Sequence, residues 1–142
     1  MLTQIDHVGI AVADLEQEVE RYRRAFGLEP THRELMRDQG VEEVLFAVGE
    51  SYVQLLGALG SDTPVGRFLD RRGPGVHHLG YRVANVNEAL GRLRAEGVAL
   101  IDETPRGGSR GTTIAFVHPK SMGGVLVELV QESSPTTEGR RV

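Results

Sequence analysis

The sequence predicts an α+β fold made of two tandem β-α-β-β-β modules, and three observations indicate this architecture. First, the pattern of residues 6–13 returns at residues 77–84, at an offset of 71 positions (78 − 7). Second, each copy continues from an alternating strand into an amphipathic helix and then into further strands. Third, a four-stranded sheet with one helix cannot cover both of its faces, so two such modules side by side would enclose a cleft. The residues that are identical at this offset are His7/His78, Gly9/Gly80, Val12/Val83, Ala13/Ala84, Arg21/Arg92 and Arg23/Arg94.

Composition and charge are those of an ordinary folded domain. With 142 residues, of which 39% are hydrophobic and 25% charged, the chain has the size of one compact domain, predicted at residues 1–131. A net charge of −4 argues against a nucleic-acid partner, and no apolar run reaches the roughly 18 residues of a membrane span. The absence of cysteine excludes disulfides, thiolate metal ligands and cysteine nucleophiles. We expect a cytoplasmic protein without a membrane partner.

The first module is predicted at about residues 4–57. Residues 5–12 alternate between two faces, as in a strand. Asp14 is a helix N-cap, the apolar residues of 15–26 recur on one helical face, and Gly27 ends the helix. The three strands that follow are predicted at residues 31–37, 41–48 and 52–56.

The second module is predicted at about residues 76–131, after a linker at 58–75 that contains a short helix over 64–72 with Thr63 as its N-cap. Asn85 caps the helix of this module, and Gly97 ends it. The later strands are predicted at residues 98–101, 113–117 and 125–130, with a Gly/Arg loop over 105–111. The polar residues 132–142 are predicted to be a flexible tail.

One carboxylate lies in the middle of an apolar strand. In residues 125–130, alternation places Leu126, Glu128 and Val130 on one face and the other three residues on the opposite face. A buried charge is costly unless something pairs with it. Taken alone, Glu128 is equally well explained by a metal ion and by a buried ion pair with Arg or Lys.

The repeat gives this carboxylate three partners. His7 lies on the first strand of copy one and Gln54 on its last strand. His78 and Glu128 take the same places in copy two, with spacings of 47 (54 − 7) and 50 (128 − 78) residues. A two-fold-like arrangement of the copies would bring these four side chains to the middle of the cleft. One His on an apolar strand is usually a core residue, whereas two at equivalent positions favour metal ligation.

This ligand set favours an octahedral ion with open positions. Two imidazoles, one amide oxygen and one carboxylate leave two adjacent positions for water or a bidentate oxygen substrate, which suits Mn²⁺, Co²⁺, Ni²⁺ or Mg²⁺ better than a closed Zn²⁺ site. Gly9 and Gly80 share the face of the histidines and leave space above the ion, unless they mark bulges. His77 lies on the opposite face and is not a predicted ligand, and His32 and His118 are expected at the surface or at strand ends.

The repeat and its His, Gln, His and Glu together resemble the vicinal oxygen chelate superfamily. Within it, the chain is similar to the methylmalonyl-CoA epimerase family over roughly residues 4–131. The most specific similarity runs from His118-Pro119-Lys120-Ser121 to Glu128-Leu129, whereas the start at Asp6-His7-Val8 is shared across the superfamily. The other similar segments are residues 5–12, 39–41, 62–69 and 75–78.

This resemblance implies a function and a site. The family interconverts (R)- and (S)-methylmalonyl-CoA on a divalent metal, so His7, Gln54, His78 and Glu128 would bind one ion. Co²⁺ and Mn²⁺ are the expected ions, with Ni²⁺, Mg²⁺ and Zn²⁺ as alternatives. Glu43 matches a second acidic residue of the family, so Glu43 and Glu128 would exchange the α-proton on opposite faces of the substrate. A CoA thioester substrate and a homodimer are also implied.

Several alternatives stay open. Strand alternation lets only one of Glu42 and Glu43 reach the cleft, and without the resemblance a solvated edge pair is the preferred interpretation. Lys120, Ser121 and Arg110 are the predicted substrate contacts, although Arg110 also fits an ordinary solvated loop. The alternative functions are a glyoxalase I-type lactoylglutathione lyase and a metal-free, non-catalytic binding module of the same fold. A ring-cleaving dioxygenase fits less well, because such enzymes typically use three protein ligands.

Overall fold

A computed structural model describes residues 1–134, so most of the predicted tail at 132–142 lies outside the described residues. Within the described part there are three α-helices, eight β-strands and two short 3₁₀ turns. None of these helices is long and apolar enough to span a membrane. The described part of the chain divides into two compact units, one of residues 4–80 and one of residues 1–3 together with residues 81–134.

The unit of residues 4–80 has the predicted β-α-β-β-β order, followed by a helix and the start of a fifth strand. Its strands are arranged in the order β2-β3-β4-β1-β5, with β1 parallel to β4 and β3 antiparallel to both β2 and β4. The elements are β1 (Leu2–Val12), α1 (Leu15–Phe26), β2 (His32–Met36), β3 (Val41–Val48), β4 (Ser51–Ala58), α2 (Pro64–Arg72) and β5 (Gly75–Val83).

Both helices of this unit begin at side-chain caps, as predicted. Asp14 accepts a hydrogen bond from the amide of Gln17 at 3.0 Å, and Thr63 accepts one from the amide of Gly66 at 3.0 Å. Helix α1 ends at Gly27, which has the positive φ of 66° that glycine adopts without strain. These caps use only neighbouring residues, which is why the sequence predicts both helices with their observed bounds.

The two faces of this sheet have different roles. One face packs against α1 through a core that includes Val12, Val19, Val44, Phe46 and Leu55. The opposite face packs against α2 through Ala11, Met36, Val41, Leu56 and Val65. Strand alternation and register place His7, Glu43 and Gln54 on this second face, beside the residues that α2 covers.

The second unit contains the end of β5 and the elements that follow it, in the strand order β5-β8-β7-β6. Strand β8 alternates as predicted, because Val127 and Leu129 join the core beneath α3, whereas Val130 packs with Ile114 and Phe116. These later elements are α3 (Val86–Ala95), β6 (Arg106–Gly107), β7 (Thr113–Val117) and β8 (Val127–Gln131).

The strand predicted at residues 98–101 is wrong. In this segment only Leu100 forms a bridge, with Val117, and the short strand β6 lies inside the predicted loop at 105–111. The reason is that a side-chain carboxylate takes the place of a backbone carbonyl as hydrogen-bond acceptor. Asp102 accepts the amide hydrogen of Phe116 at 2.8 Å, while the amides of Ile101 and Asp102 both donate to the Phe116 carbonyl. A regular ladder cannot continue through this arrangement.

The last strand begins two residues later than predicted. Gly123 and Gly124 have positive φ values of 65° and 89°. The amides of Gly124 and Val125 donate to the carbonyls of Pro119 and Met122, so the chain is still turning at Val125. Strand β8 therefore starts at Val127.

Candidate active site

Two buried imidazoles meet in the unit of residues 4–80. His7 on β1 and His78 on β5 are each only 4% exposed. Their Nε2 atoms lie 2.9 Å apart, and their rings are nearly perpendicular, with centroids separated by 5.0 Å. In each ring the Nδ1 atom has a protein neighbour within 2.9 Å, so the Nε2 atoms are the ones that face each other.

The distance between these Nε2 atoms fits two ligands of one metal ion. Donor atoms about 2.1 Å from a common ion are about 3.0 Å apart when they subtend a right angle, and about 3.4 Å apart in a tetrahedron. The observed 2.9 Å agrees with adjacent positions of an octahedron. A single proton shared between the two nitrogens also gives this distance, so the fit depends on the other groups around them.

Two glycines make room for these rings. A Cβ atom on Gly9 would lie 2.3 Å from Cε1 of His78, and one on Gly80 would lie 2.2 Å from Cε1 of His7. Both distances are far below van der Waals contact. Neither glycine has a positive φ, so space alone, and not the backbone conformation, requires glycine at these two positions.

Gln54 aims an amide oxygen at the same place. Its Nε2 donates to Oε2 of Glu43 at 3.2 Å, and because a carboxylate only accepts, this bond fixes which way the amide is turned. Its Oε1 then lies 2.9 Å from the Cβ position of Gly9, beside His78. This buried oxygen has no hydrogen-bond partner among the described residues. A buried oxygen without a donor costs about 1–3 kcal/mol, and a metal ion would satisfy it.

Glu43 is fully buried, whereas its neighbour Glu42 is not. Glu42 points to the opposite face and pairs with Arg33 at 2.9 Å. Glu43 instead faces Gln54 and lies across from Glu34 in the β2–β3 register. The potential ligand atoms of His32, Glu34 and Glu43 all lie within 4.8 Å of one another. Glu43 is therefore a buried carboxylate that lies close to two half-exposed polar side chains of the edge strand β2.

Two residues of this site have no role in the sequence analysis. Asp6 is 0% exposed and accepts from Nδ1 of His7 at 2.8 Å. His77, which the alternation places on the other face, has its Nδ1 atom 2.9 Å from Nδ1 of His78. The signal that could have found them is the repeat itself, because each residue directly precedes the repeated histidine.

The other predicted site residues belong to the second unit. Glu128 lies on β8, is 7% exposed and is opposite Phe116 in the register. Lys120 is exposed, and Ser121 uses its hydroxyl oxygen to accept the amide hydrogen of Ala99 at 3.0 Å. Arg110 has a φ of 57°, the only positive value at a described residue other than glycine. The hydrogen bond of Ser121 is a structural one within its own unit.

Fold and site together define a protein of the glyoxalase-like class. The chain belongs to the Glyoxalase/Bleomycin resistance protein/Dioxygenase superfamily, which it matches over residues 6–116. The fold class predicted from the sequence is therefore confirmed, and so is the resemblance on which the predicted function rests.

Within this superfamily the chain is similar to methylmalonyl-CoA epimerases. It is 35% identical to the mitochondrial methylmalonyl-CoA epimerase of Homo sapiens over an alignment of 131 residues. This alignment covers 92% of this chain and 74% of the human protein. The crystal structure of methylmalonyl-CoA epimerase from Mycobacterium tuberculosis is 43% identical in sequence, with a TM-score of 0.90. The match covers 94% of this chain and 90% of that one. A methylmalonyl-CoA epimerase solved in complex with methylmalonyl-CoA and NH4+ is 41% identical in sequence, with a TM-score of 0.92. The match covers 94% of this chain and 97% of that one.

Proposed function

We propose that this protein interconverts (R)- and (S)-methylmalonyl-CoA by removing and returning the α-proton. The observation that carries the proposal is the buried carboxylate of Glu43, held 3.2 Å from the Gln54 amide, whose oxygen lies with the His78 ring at the Cβ position of Gly9. An epimerase needs such an acid/base group next to the place where the substrate is bound. The similarity to epimerases over more than nine-tenths of the chain supports the same reaction.

The proposed ligands of one divalent ion are His7, Gln54, His78 and Glu128. His7, His78 and Glu128 are all buried, and each offers an atom that can bind a metal. Gln54 contributes the oxygen that has no donor among the described residues. Glu128 occupies the position on the last strand of the second copy that matches Gln54 in the first. When bound, the ion would supply positive charge that stabilises the negative charge developing on the thioester oxygen.

Two carboxylates of this chain transfer the α-proton of the substrate. Glu43 takes the α-proton on one side of the substrate carbon or returns it there, and Glu128 does the same on the other side. Epimerisation requires one such group for each face. Gln54 keeps Glu43 in place through its amide, so removal and return occur at a fixed position. Glu128 combines this role with ligation, which requires its carboxylate to bind through one oxygen at a time.

The proposed substrate contacts are Lys120, Ser121 and Arg110. Lys120 is exposed and lies in the 3₁₀ turn Pro119–Ser121 that His118 caps, where Nδ1 of His118 accepts the Lys120 amide hydrogen at 3.1 Å. Its ammonium group is suited to a phosphate of CoA or to the substrate carboxylate. Co²⁺ or Mn²⁺ as the ion, a homodimer, the cytoplasm and a single domain at residues 1–131 remain predictions from the sequence.

The test is exchange of the α-hydrogen of methylmalonyl-CoA in D₂O, followed by proton NMR. We expect Glu43→Gln to slow exchange of the epimer whose α-proton faces Glu43 by about 10²–10⁴-fold, the usual contribution of a general base, while the other epimer still exchanges through Glu128. Glu42→Gln is the matched control, because its side chain lies on the other face of β3 beside Arg33 and should leave exchange unchanged.

If Glu43→Gln exchanges both epimers at the wild-type rate while its circular dichroism is unchanged, Glu43 is not the base. If wild-type protein with Co²⁺ or Mn²⁺ turns over the hemithioacetal of glutathione and leaves methylmalonyl-CoA unchanged, the proposed reaction is wrong and a glyoxalase I-type activity replaces it.

A further inference from the structure

We infer that Asp6 and His77 are positioning residues that set the protons of the two metal-binding imidazoles, and that His77 does so as a neutral acceptor. This inference rests on the proposed function, because it assigns His7 and His78 to the ion. It concerns two residues that directly precede those histidines in the two copies of the repeat. Neither residue touches the substrate in this scheme.

The contact of Asp6 has a clear direction. Asp6 is completely buried, and its Oδ2 lies 2.8 Å from Nδ1 of His7. A carboxylate can only accept, so Nδ1 of His7 carries the proton and its Nε2 is unprotonated, as a metal ligand must be. A carboxylate in this place also makes the imidazole a stronger ligand.

The contact of His77 follows from the same rule. Its Nδ1 lies 2.9 Å from Nδ1 of His78, and one of these two nitrogens must donate while the other accepts. If Nε2 of His78 binds the ion, its proton is on Nδ1 and it is the donor. Nδ1 of His77 is then the acceptor and has no proton. The ring of His77 is therefore neutral and carries its proton on Nε2.

The ring of His77 is held in this position from the side. Phe68 of α2 meets it edge to face, with centroids 5.0 Å apart and an angle of 78° between the planes. Arg72 covers the ring of Phe68, with its guanidinium carbon 5.7 Å from the centroid. Helix α2 thereby fixes the orientation of a side chain that itself orients His78.

The two imidazoles therefore receive different support. His7 has an anionic partner and His78 a neutral one, and hydrogen bonds to ionised groups are about twice as strong as neutral ones. The two copies thus provide similar ligands with unequal partners. The inference predicts that His7 is the more firmly held ligand, and that the charge of Asp6 contributes more to metal affinity than the acceptor of His77.

The experiment measures Co²⁺ affinity of the metal-free protein by competition with a chromogenic chelator. We expect His77→Phe, which keeps a ring against Phe68 but lacks the acceptor, to bind Co²⁺ about 10–100-fold more weakly. His77→Asn places an amide oxygen where Nδ1 was, and should restore affinity to within a few-fold of the wild type. Asp6→Asn keeps an acceptor without the charge and should lose more affinity than His77→Phe. His118→Asn, in the other unit, is the control and should bind normally.

A second readout observes the proton directly. In ¹⁵N NMR of the Zn²⁺-loaded protein, His77 should show a protonated Nε2 and a bare Nδ1. Equal affinity of wild type and His77→Phe, or a protonated Nδ1 on His77, would overturn the inference and leave the proposed function standing. If the wild type itself binds no Co²⁺, both fail together, and the wild-type titration distinguishes that case.

Discussion

The demand for space at single positions is the sharpest feature of this site. Gly80 has no strained backbone, yet a Cβ atom there would lie 2.2 Å from the His7 ring. The ring cannot retreat freely, because Asp6 holds its Nδ1 at 2.8 Å. One methyl group should therefore move the imidazole and lose the geometry that the ion needs.

We predict that Gly80→Ala weakens Co²⁺ binding by at least about tenfold, and that overpacking lowers stability by about 1–3 kcal/mol. Gly75→Ala is the matched control on the same strand, since a Cβ there would have nothing within 4 Å. Chelator competition measures affinity and urea unfolding measures stability. Wild-type affinity in Gly80→Ala would contradict the tight arrangement of His7.

Which residues could be predicted depended on whether their signal was periodic. The repeat offset and strand alternation were enough to select His7, His78 and Gln54, which the structure brings together on one sheet face. The same alternation separates neighbours in sequence, so it excluded His77 as a metal ligand and gave no reason to expect its contact with His78. The actual contact depends on how the two rings are rotated, which no pattern of residue types encodes.

Among the elements, the segment around Asp102 shows how one side chain changes a strand. Its carboxylate accepts the buried amide of Phe116 at 2.8 Å and lies 3.4 Å from Nε of Arg106. The bond takes the place of a ladder hydrogen bond, so its loss would leave a buried donor unsatisfied.

Asp102→Ala should lower the free energy of unfolding by about 1–3 kcal/mol. Glu103→Ala is the control, because its side chain is exposed and pairs only with exposed groups of Arg94, and it should change stability by less than about 0.5 kcal/mol. Urea denaturation monitored by circular dichroism compares them. Similar midpoints for both variants would show that water satisfies the Phe116 amide.

Helices were predicted more accurately than strands for a physical reason. Caps such as Asp14 and Thr63 bind amides three residues away, so the information is local. The strand predicted at 98–101 depended on a partner far along the chain, and the competing bond from Asp102 to Phe116 spans 14 residues. Composition and alternation in that segment are those of a strand. They contain no information about a side-chain hydrogen bond that competes with strand pairing.

At the scale of the whole molecule, a bound ion should couple the site to stability. A ligand at 100 times its dissociation constant adds about 2.7 kcal/mol to the folded state, provided that it does not bind the unfolded chain. For a chain of 142 residues this corresponds to roughly 5–10 °C in Tm.

We therefore expect Co²⁺ or Mn²⁺ to raise Tm by this amount in a thermal melt, and EDTA to reverse it. His7→Asn should lose the increase because it removes one of the proposed ligands. His118→Asn should retain it, since that residue caps a turn elsewhere. An equal increase in both variants would mean that the cations act at some other place.

The two glycines have a consequence for the history of the chain. Gly9 leaves its empty space for an imidazole of the second copy, and Gly80 leaves its own for an imidazole of the first. A descendant could enlarge either glycine only after the histidine opposite had already been replaced. After the duplication, the halves were therefore no longer free to drift apart at these positions, and substitutions there should be inherited as compensated pairs.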